Sequence, residues 1–226
     1  MIEVLLPESV VAVEAHGDDP LWDAPLYPEE AVLVERAVDK RRREFAAVRG
    51  CARRAMEKLG VPAQPVLSSE RGAPRWPAGL IGSMTHCDGY GAAALARAGD
   101  LASLGIDAEP HGPLPEGVGP AVFLPAEGER LARLAGQRPA VHWDRILFSA
   151  KESVYKAWFP LTRLWLDFSE ADIILHPGPG DASYGTLRAE LLVPGPRIGD
   201  RRLQVFDGRW AVRDGLVATA VIVPHP

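Results

Sequence analysis

Cysteine is scarce: Cys51 and Cys87 are the only two in 226 residues. They lie far apart with no CxxC spacing, which excludes a disulfide scaffold or a cysteine-rich zinc module and fits reduced thiols in a cytoplasmic compartment. Long apolar runs are missing too. LVATAVIV near the C-terminus is about the longest, well short of the roughly 20 residues that cross a bilayer. The N-terminal MIEVLLPESVVAVEA has acids within its apolar stretch and no basic lead, so it does not read as a signal peptide. Nor is there an excess of positive charge. The 25 Lys and Arg against 30 Asp and Glu leave a net charge of −5, which gives no global electrostatic support for binding nucleic acid. Any anionic ligand must be gripped by local basic clusters. What is present is 47% hydrophobic residues, enough for a substantial core in one large domain or two small halves. The 22 Gly and 21 Pro fall mostly between periodic segments, as in PGPGDASYG and VPGPRIGD, and mark loops on a compact body.

The pattern predicts an α+β order. EEAVLVERAVD, residues 29–39, has helical character with acids in its first turn. Phe45, Val48, Ala52, Ala55 and Leu59 recur at steps of three and four, which predicts a helix over about 42–59 ended by Gly60. Residues 89–107 read as strand, RAGD turn and strand. The chain then wanders through Pro and Gly to a long helix over roughly 141–159. Strands are expected at 171–175, 187–193, 203–213 and 216–223, with Asp214-Gly215 as a hairpin turn. Two helix-plus-sheet halves, 1–100 and 101–226, form the simplest architecture. GYGAAALARAGDLASLGI and GRWAVRDGLVATAVI, both read as hairpins of small and branched residues, are a faint internal echo in its favour.

Two segments carry candidate chemistry. LGIDAEP, residues 104–110, ends an apolar run with Asp107 and Glu109, which share a face because strand residues i and i+2 point the same way. Such a pair is either a solvated strand end or half of an oxygen site for a hard cation. In VHWDRILFSAKESVYKAWF, Trp143, Ile146, Leu147, Ala150, Val154, Ala157 and Leu161 trace one helical stripe, and Arg145, Ser149, Glu152 and Lys156 another. Glu152 and Lys156 alone are equally a surface i, i+4 pair.

Taken together, LGIDAEP and FSAKESVYKAW, with Asp107 and Glu152 45 positions apart, resemble the two signature segments of the 4′-phosphopantetheinyl transferases, roughly G-I-D-x-E and F-S-x-K-E-x-x-Y-K. GAPRWPAGLIGSMTHCDGYGAAAL is similar to that family's Gly-Pro-Trp-Pro loop leading to G-S-x-T-H-C. RRREFAAVRGCAR resembles the basic helix of its enterobactin-type branch. The likeness covers about residues 40–160 well and the C-terminal hairpins loosely.

The resemblance implies two similar helix-plus-antiparallel-sheet halves related by a pseudo-twofold axis. It also implies transfer of the phosphopantetheine arm of coenzyme A to a serine of an acyl or peptidyl carrier protein, with release of 3′,5′-ADP. Mg²⁺, or Mn²⁺, is implied as the cofactor, with Asp107, Glu109 and Glu152 as its carboxylates. Glu152 is also the candidate base, and Lys156 the contact to the departing phosphate. Arg41 and Arg49, about 12 Å apart along a helix, together with Arg71, Thr85, His86, Asp107, Lys151 and Lys156, are the implied coenzyme A contacts. A monomer, acting on neither membrane nor nucleic acid, is expected. His111 is left out, since Mg²⁺ disfavours imidazole. Three rivals stand beside this reading: a serine hydrolase of Ser83, His86 and Asp107, which lacks the G-x-S-x-G elbow; a non-catalytic carrier-binding module; and a metal-dependent hydrolase of coenzyme A.

Overall fold

The computed structural model describes residues 1–180 and 183–226. Part of the loop expected at PGPGDASYG therefore lies outside the described residues. A short helical turn, Ile2–Leu5, precedes β1 (Val10–His16), α1 (Pro28–Val32) and α2 (Asp39–Lys58). Next come β2 (Leu67–Ser68), β3 (Pro74–Arg75), β4 (Leu80–Cys87), β5 (Tyr90–Arg97) and β6 (Leu101–Pro110). The helices α3 (Gly119–Val122), α4 (Pro125–Gln137) and α5 (Trp143–Thr162) follow. The chain ends with β7 (Ala171–Pro177), β8 (Tyr184–Leu191), β9 (Arg197–Ile198), β10 (Arg201–Arg202), β11 (Val205–Arg213) and β12 (Leu216–Pro224). This is a mixed arrangement of helices and antiparallel sheet. None of the helices among the described residues is long and apolar enough to cross a membrane.

The strands form a three-stranded sheet in the order β1-β5-β4 and a five-stranded sheet in the order β6-β12-β11-β8-β7. Three apolar clusters hold them. Cys51, Ala52, Ala55 and Met56 of α2 pack on Val13, Ala93 and Leu95 of the first sheet. Trp143, Ile146, Leu147, Ala150, Val154 and Ala157 of α5 pack on Leu187, Trp210, Val217 and Val221 of the second. Between the sheets, Ala92, Ala94 and Ala96 meet Leu104, Ile106, Ala108, Ala218 and Ala220. The period of two along each strand sorts side chains between these layers. Because Leu104, Ile106 and Ala108 fill the layer between the sheets, the odd-numbered residues of β6 face α5. That is the physical reason Asp107 and Glu109 end on the helix side.

The structure corrects several expectations. RAGD is no hairpin, because β5 is already flanked by β1 and β4, and β6 takes β12 as its ladder partner. The true hairpin lies upstream, at Asp88-Gly89 between β4 and β5. The expected helix over 29–39 stops at Val32, and Val38, extended at φ −65° and ψ 157°, separates it from α2. Besides the short β2, β3, α3, β9 and β10, three longer elements escaped the pattern: β1, β4 and α4. The last reads as loop because it contains two glycines, yet Pro125 at its start and the reach of Glu127 back to the Leu124 amide set it going. Asp214-Gly215 forms the expected turn, with positive φ at both residues as a type I′ hairpin requires.

Candidate active site

The two sheets meet at β4 and β6 through side chains. The Ser83 hydroxyl accepts from the Ile106 amide at 3.1 Å, and the Thr85 hydroxyl accepts from the Ala108 amide at 3.0 Å. Thr85 also donates to Asp107 Oδ1 at 3.1 Å. Helix α5 completes the environment. Lys156 Nζ donates to Asp107 Oδ1 at 2.7 Å and to the Ile106 carbonyl at 3.1 Å. Arg145, three turns earlier, donates to Glu109 at 3.1 Å and pins the following loop through the Gly112 and Pro113 carbonyls. The helix stripe expected from the sequence is therefore split. Arg145, Glu152 and Lys156 face acids or cavity, whereas Ser149 is buried against Thr219, bonded hydroxyl to hydroxyl at 2.9 Å.

Beside this cluster opens a cavity of about 770 Å³. Its wall brings together Arg41 and Arg49 from α2, Arg71 and Arg75 from the loop region of β2 and β3, His86 from β4, and Glu152, Lys156 and Arg163 from the α5 end. Six cations face one carboxylate, in a chain whose net charge is −5. Such a concentration of positive charge is suited to a polyanion. Arg49 is 6% exposed, with its guanidinium 3.3 Å over the Phe45 ring and Nε on the Val66 carbonyl. Burial pulls its pKa down to about 10, so it stays charged at neutral pH. Arg41 bonds His86 Nε2, and burial together with Arg41 pulls the imidazole pKa below its ordinary value. The shift favours the neutral ring, with Glu44, 3.6 Å from Nδ1, opposing it.

Of the expected nucleotide contacts, Arg41, Arg49, Arg71, His86 and Lys156 line this cavity. Thr85, Asp107 and Lys151 do not. The Thr85 hydroxyl is spent between Asp107 and the Ala108 amide. Lys151 turns away into the protein, where it meets Glu127 at 2.8 Å and the Phe168 and Ala171 carbonyls at 2.7 Å each. Sequence reasoning passed over Arg75, Trp76, Tyr155 and Arg163 as wall residues. Tyr155, inside the F-S-x-K-E-x-x-Y-K segment, and Arg75 and Trp76, inside the Trp-Pro loop segment, carried a signal; the Trp76 indole donates to the Gly82 carbonyl at 2.9 Å.

Among the described residues no three His, Cys, Asp or Glu side chains converge closely enough to hold a metal ion. The donor chemistry nonetheless fits a hard cation. Asp107 Oδ2 is buried and has no hydrogen-bond partner, which for a carboxylate oxygen is costly unless something positive reaches it. Burial, with repulsion from Asp107, pushes Glu109 up to about 7, while Arg145 and Lys156 oppose the rise. Burial also raises Glu152 above the usual carboxylate value, Lys156 opposing and Asp107 adding to the rise. Lys156 already meets Asp107 Oδ1 and Arg145 meets Glu109, so Asp107 Oδ2 and Glu152 are the carboxylate oxygens left for a further cation.

Comparison with known proteins agrees with this geometry. The model of the 4′-phosphopantetheinyl transferase N-terminal domain matches residues 29–96, and that of the 4′-phosphopantetheinyl transferase superfamily matches residues 103–192. The chain is 59% identical to 4′-phosphopantetheinyl transferase Svp of Streptomyces mobaraensis over all of its own length and 90% of the relative's. It is 48% identical to 4′-phosphopantetheinyl transferase Npt of Nocardia iowensis, over 98% of this chain and 99% of that one. Against 4′-phosphopantetheinyl transferase PptT of Mycobacterium tuberculosis the identity is 45%, over 99% and 98%. With a basic cavity set against a strand-borne acid pair and a helix that supplies Glu152 and Lys156, and with these matches along its whole length, the chain belongs to the 4′-phosphopantetheinyl transferase superfamily.

Proposed function

We propose that the enzyme transfers the phosphopantetheine arm of coenzyme A to the serine hydroxyl of an acyl or peptidyl carrier protein. The observation that carries this is the junction of the polycationic cavity with Glu152 and Lys156, one turn apart on α5 and both on its wall. In this reading Arg41, Arg49, Arg71 and His86 hold the nucleotide phosphates. The serine oxygen attacks the phosphorus that bears the pantetheine arm, the bond to the bridging oxygen breaks, and 3′,5′-ADP leaves. The serine proton passes to Glu152, which stands on the cavity wall one turn from Lys156. Lys156 offsets charge on the departing phosphate. Asp107 and Glu152 would hold Mg²⁺ or Mn²⁺, with Glu109 contributing through water while Arg145 keeps it. When bound, the ion neutralises charge on the non-bridging pyrophosphate oxygens.

Incubation of an apo carrier protein with coenzyme A and Mg²⁺, followed by intact mass measurement, tests the reading. A gain of one phosphopantetheine is expected. Coenzyme A cleaved without any gain on the carrier would replace transfer with hydrolysis, and neither change would leave a binding module.

We also infer that residues 1–100 and 101–226 are two halves related by a pseudo-twofold axis. The orders β1-β5-β4 and β6-β12-β11 follow the same path. Each closes on an Asp-Gly turn, and the residue after the first strand donates to that turn's glycine: Gly17 to Gly89 and His111 to Gly215. Glu30 and Glu127 correspond as well, each buried at the start of a helix and each accepting an amide from its cap and one from a distant segment. In that alignment Val13 and Ala15 stand where the second half has Asp107 and Glu109. The acid pair belongs to one half only.

A further inference from the structure

Lys151 immediately precedes Glu152 in the motif-bearing helix, yet it has no hydrogen left to offer a substrate. Its ammonium carries three donors, and three protein oxygens take them: Glu127 at 2.8 Å, the Phe168 carbonyl at 2.7 Å and the Ala171 carbonyl at 2.7 Å. The side chains of Lys151 and Glu127 are 1% and 0% exposed. Glu127 is equally committed, since it accepts from the Leu124 amide at 2.8 Å and the Ile173 amide at 2.7 Å. One ion pair therefore ties α5 to the first turn of α4 and to the segment that leads into β7.

That segment matters to the candidate base. A small cavity of about 110 Å³ is lined by Lys151, Glu152 and Tyr155 on the helix side and by Trp165, Asp167 and Phe168 opposite, so the stem of Lys151 borders this space while its ammonium is held by Glu127 and the two carbonyls. Glu152 and Tyr155 also line the large basic cavity, so the wall at 165–168 bounds the space beside Glu152. The Phe168 carbonyl holds that wall to Lys151. In the first half, Arg53 meets Glu30 at 2.9 Å in the corresponding construction, although no catalytic carboxylate follows it.

We propose that Lys151 is a positioning residue: its ammonium, locked by Glu127, orients Glu152 and the wall at 165–168 and is not a ligand of the coenzyme A phosphates. The proposal rests on the transfer reading above. A phosphate ligand and a lock differ in what Glu127 does. Removing a ligand weakens coenzyme A binding, and Glu127 is irrelevant to it. Removing either half of a lock lowers turnover without touching nucleotide affinity, and removing both is no worse than removing one.

The experiment compares Lys151→Met, Glu127→Gln and the pair together. It reads melting temperature, coenzyme A affinity by calorimetry, and kcat and KM with an apo carrier. The paired variant, free of both charges, guards against a single variant unfolded by a lone buried ion. Expected are a fall in kcat of about tenfold or more in each variant, coenzyme A dissociation constants within about twofold of the parent, and a paired loss no larger than the worse single one. A Lys151→Met protein that binds coenzyme A about tenfold more weakly, beside a Glu127→Gln protein that binds it normally, would overturn the proposal. So would a folded paired variant with the parent's kcat. If the parent itself transfers nothing, the transfer reading fails by that control, and the calorimetric comparison still decides whether Lys151 touches the nucleotide.

Discussion

Replacing Gly105 with Ala tests how tightly the site depends on the seat of α5. A Cβ at residue 105 would lie 2.0 Å from the Ser153 carbonyl oxygen and 2.7 Å from the Ala157 nitrogen, both backbone atoms of the helix. Reaching the 3.4 Å of ordinary contact requires the helix to retreat by about 1.4 Å. No side chain can swing aside to provide it. Overpacking of this kind costs about 1–3 kcal/mol, or about 2–12 °C in melting temperature for a chain of this length. The functional loss is expected to be larger. The retreat pulls on the 2.7 Å bond from Ser103 to the Ala157 carbonyl and on the 2.7 Å pair of Lys156 and Asp107, and an error of about 1 Å in a reacting constellation costs about 10²-fold in rate. The assays are a thermal melt and the initial rate of carrier modification at saturating coenzyme A. A variant with unchanged melting temperature and unchanged rate would refute the claim that backbone contact at Gly105 sets the register of α5 against β6.

Excess EDTA should abolish transfer and Mg²⁺ or Mn²⁺ restore it, with Zn²⁺ doing little. Asp107→Ala and Glu152→Ala should each lose most turnover, and full rate under chelation would sink the cation assignment. Arg49→Ala should weaken coenzyme A binding by about 1.5–3 kcal/mol by calorimetry. Arg49→Lys should recover little of it, because the planar group stacked on Phe45 is lost; unchanged affinity in Arg49→Ala would remove Arg49 from the clamp. Burial pushes the thiol pKa values of Cys51 and Cys87 up to about 12. Both thiols therefore stay protonated at about pH 8, where a free cysteine is partly thiolate. The folded protein should be nearly inert to a thiol-specific disulfide reagent, and the denatured chain should react at both positions; rapid labelling of the native protein would contradict this.

The legible parts of the molecule were those where one short period dominates. α2 and α5 were readable because their apolar residues recur at helical spacing over several turns, and the Asp214-Gly215 hairpin because two positive φ values demand those residue types. β4 and α4 were not. Glycine interrupts both, and each is tied to a partner distant in sequence: β6 for one, through Ser83 and the Ile106 amide, and Ile173 and Lys151 for the other. Sequence neighbours also misled at RAGD, since nothing local shows that both edges of β5 are already taken.

The chain alone determined which chemistry is possible. It carries a D-x-E at a strand end, a helix with glutamate and lysine at i and i+4, and a basic helix in an otherwise acidic protein. Those are properties of residue type and local spacing. Only the tertiary structure decided the pairings. It gave Lys156 to Asp107 and Arg145 to Glu109, left Asp107 Oδ2 without a partner, and turned Lys151 away from its neighbour Glu152 into a closed ion pair with Glu127. Lys151 and Lys156 are both lysines of one helix, and propensity and periodicity treat them alike. They differ because α5 rests directly on Gly105 of β6, and that contact fixes which azimuth of the helix faces the cavity and which faces α4.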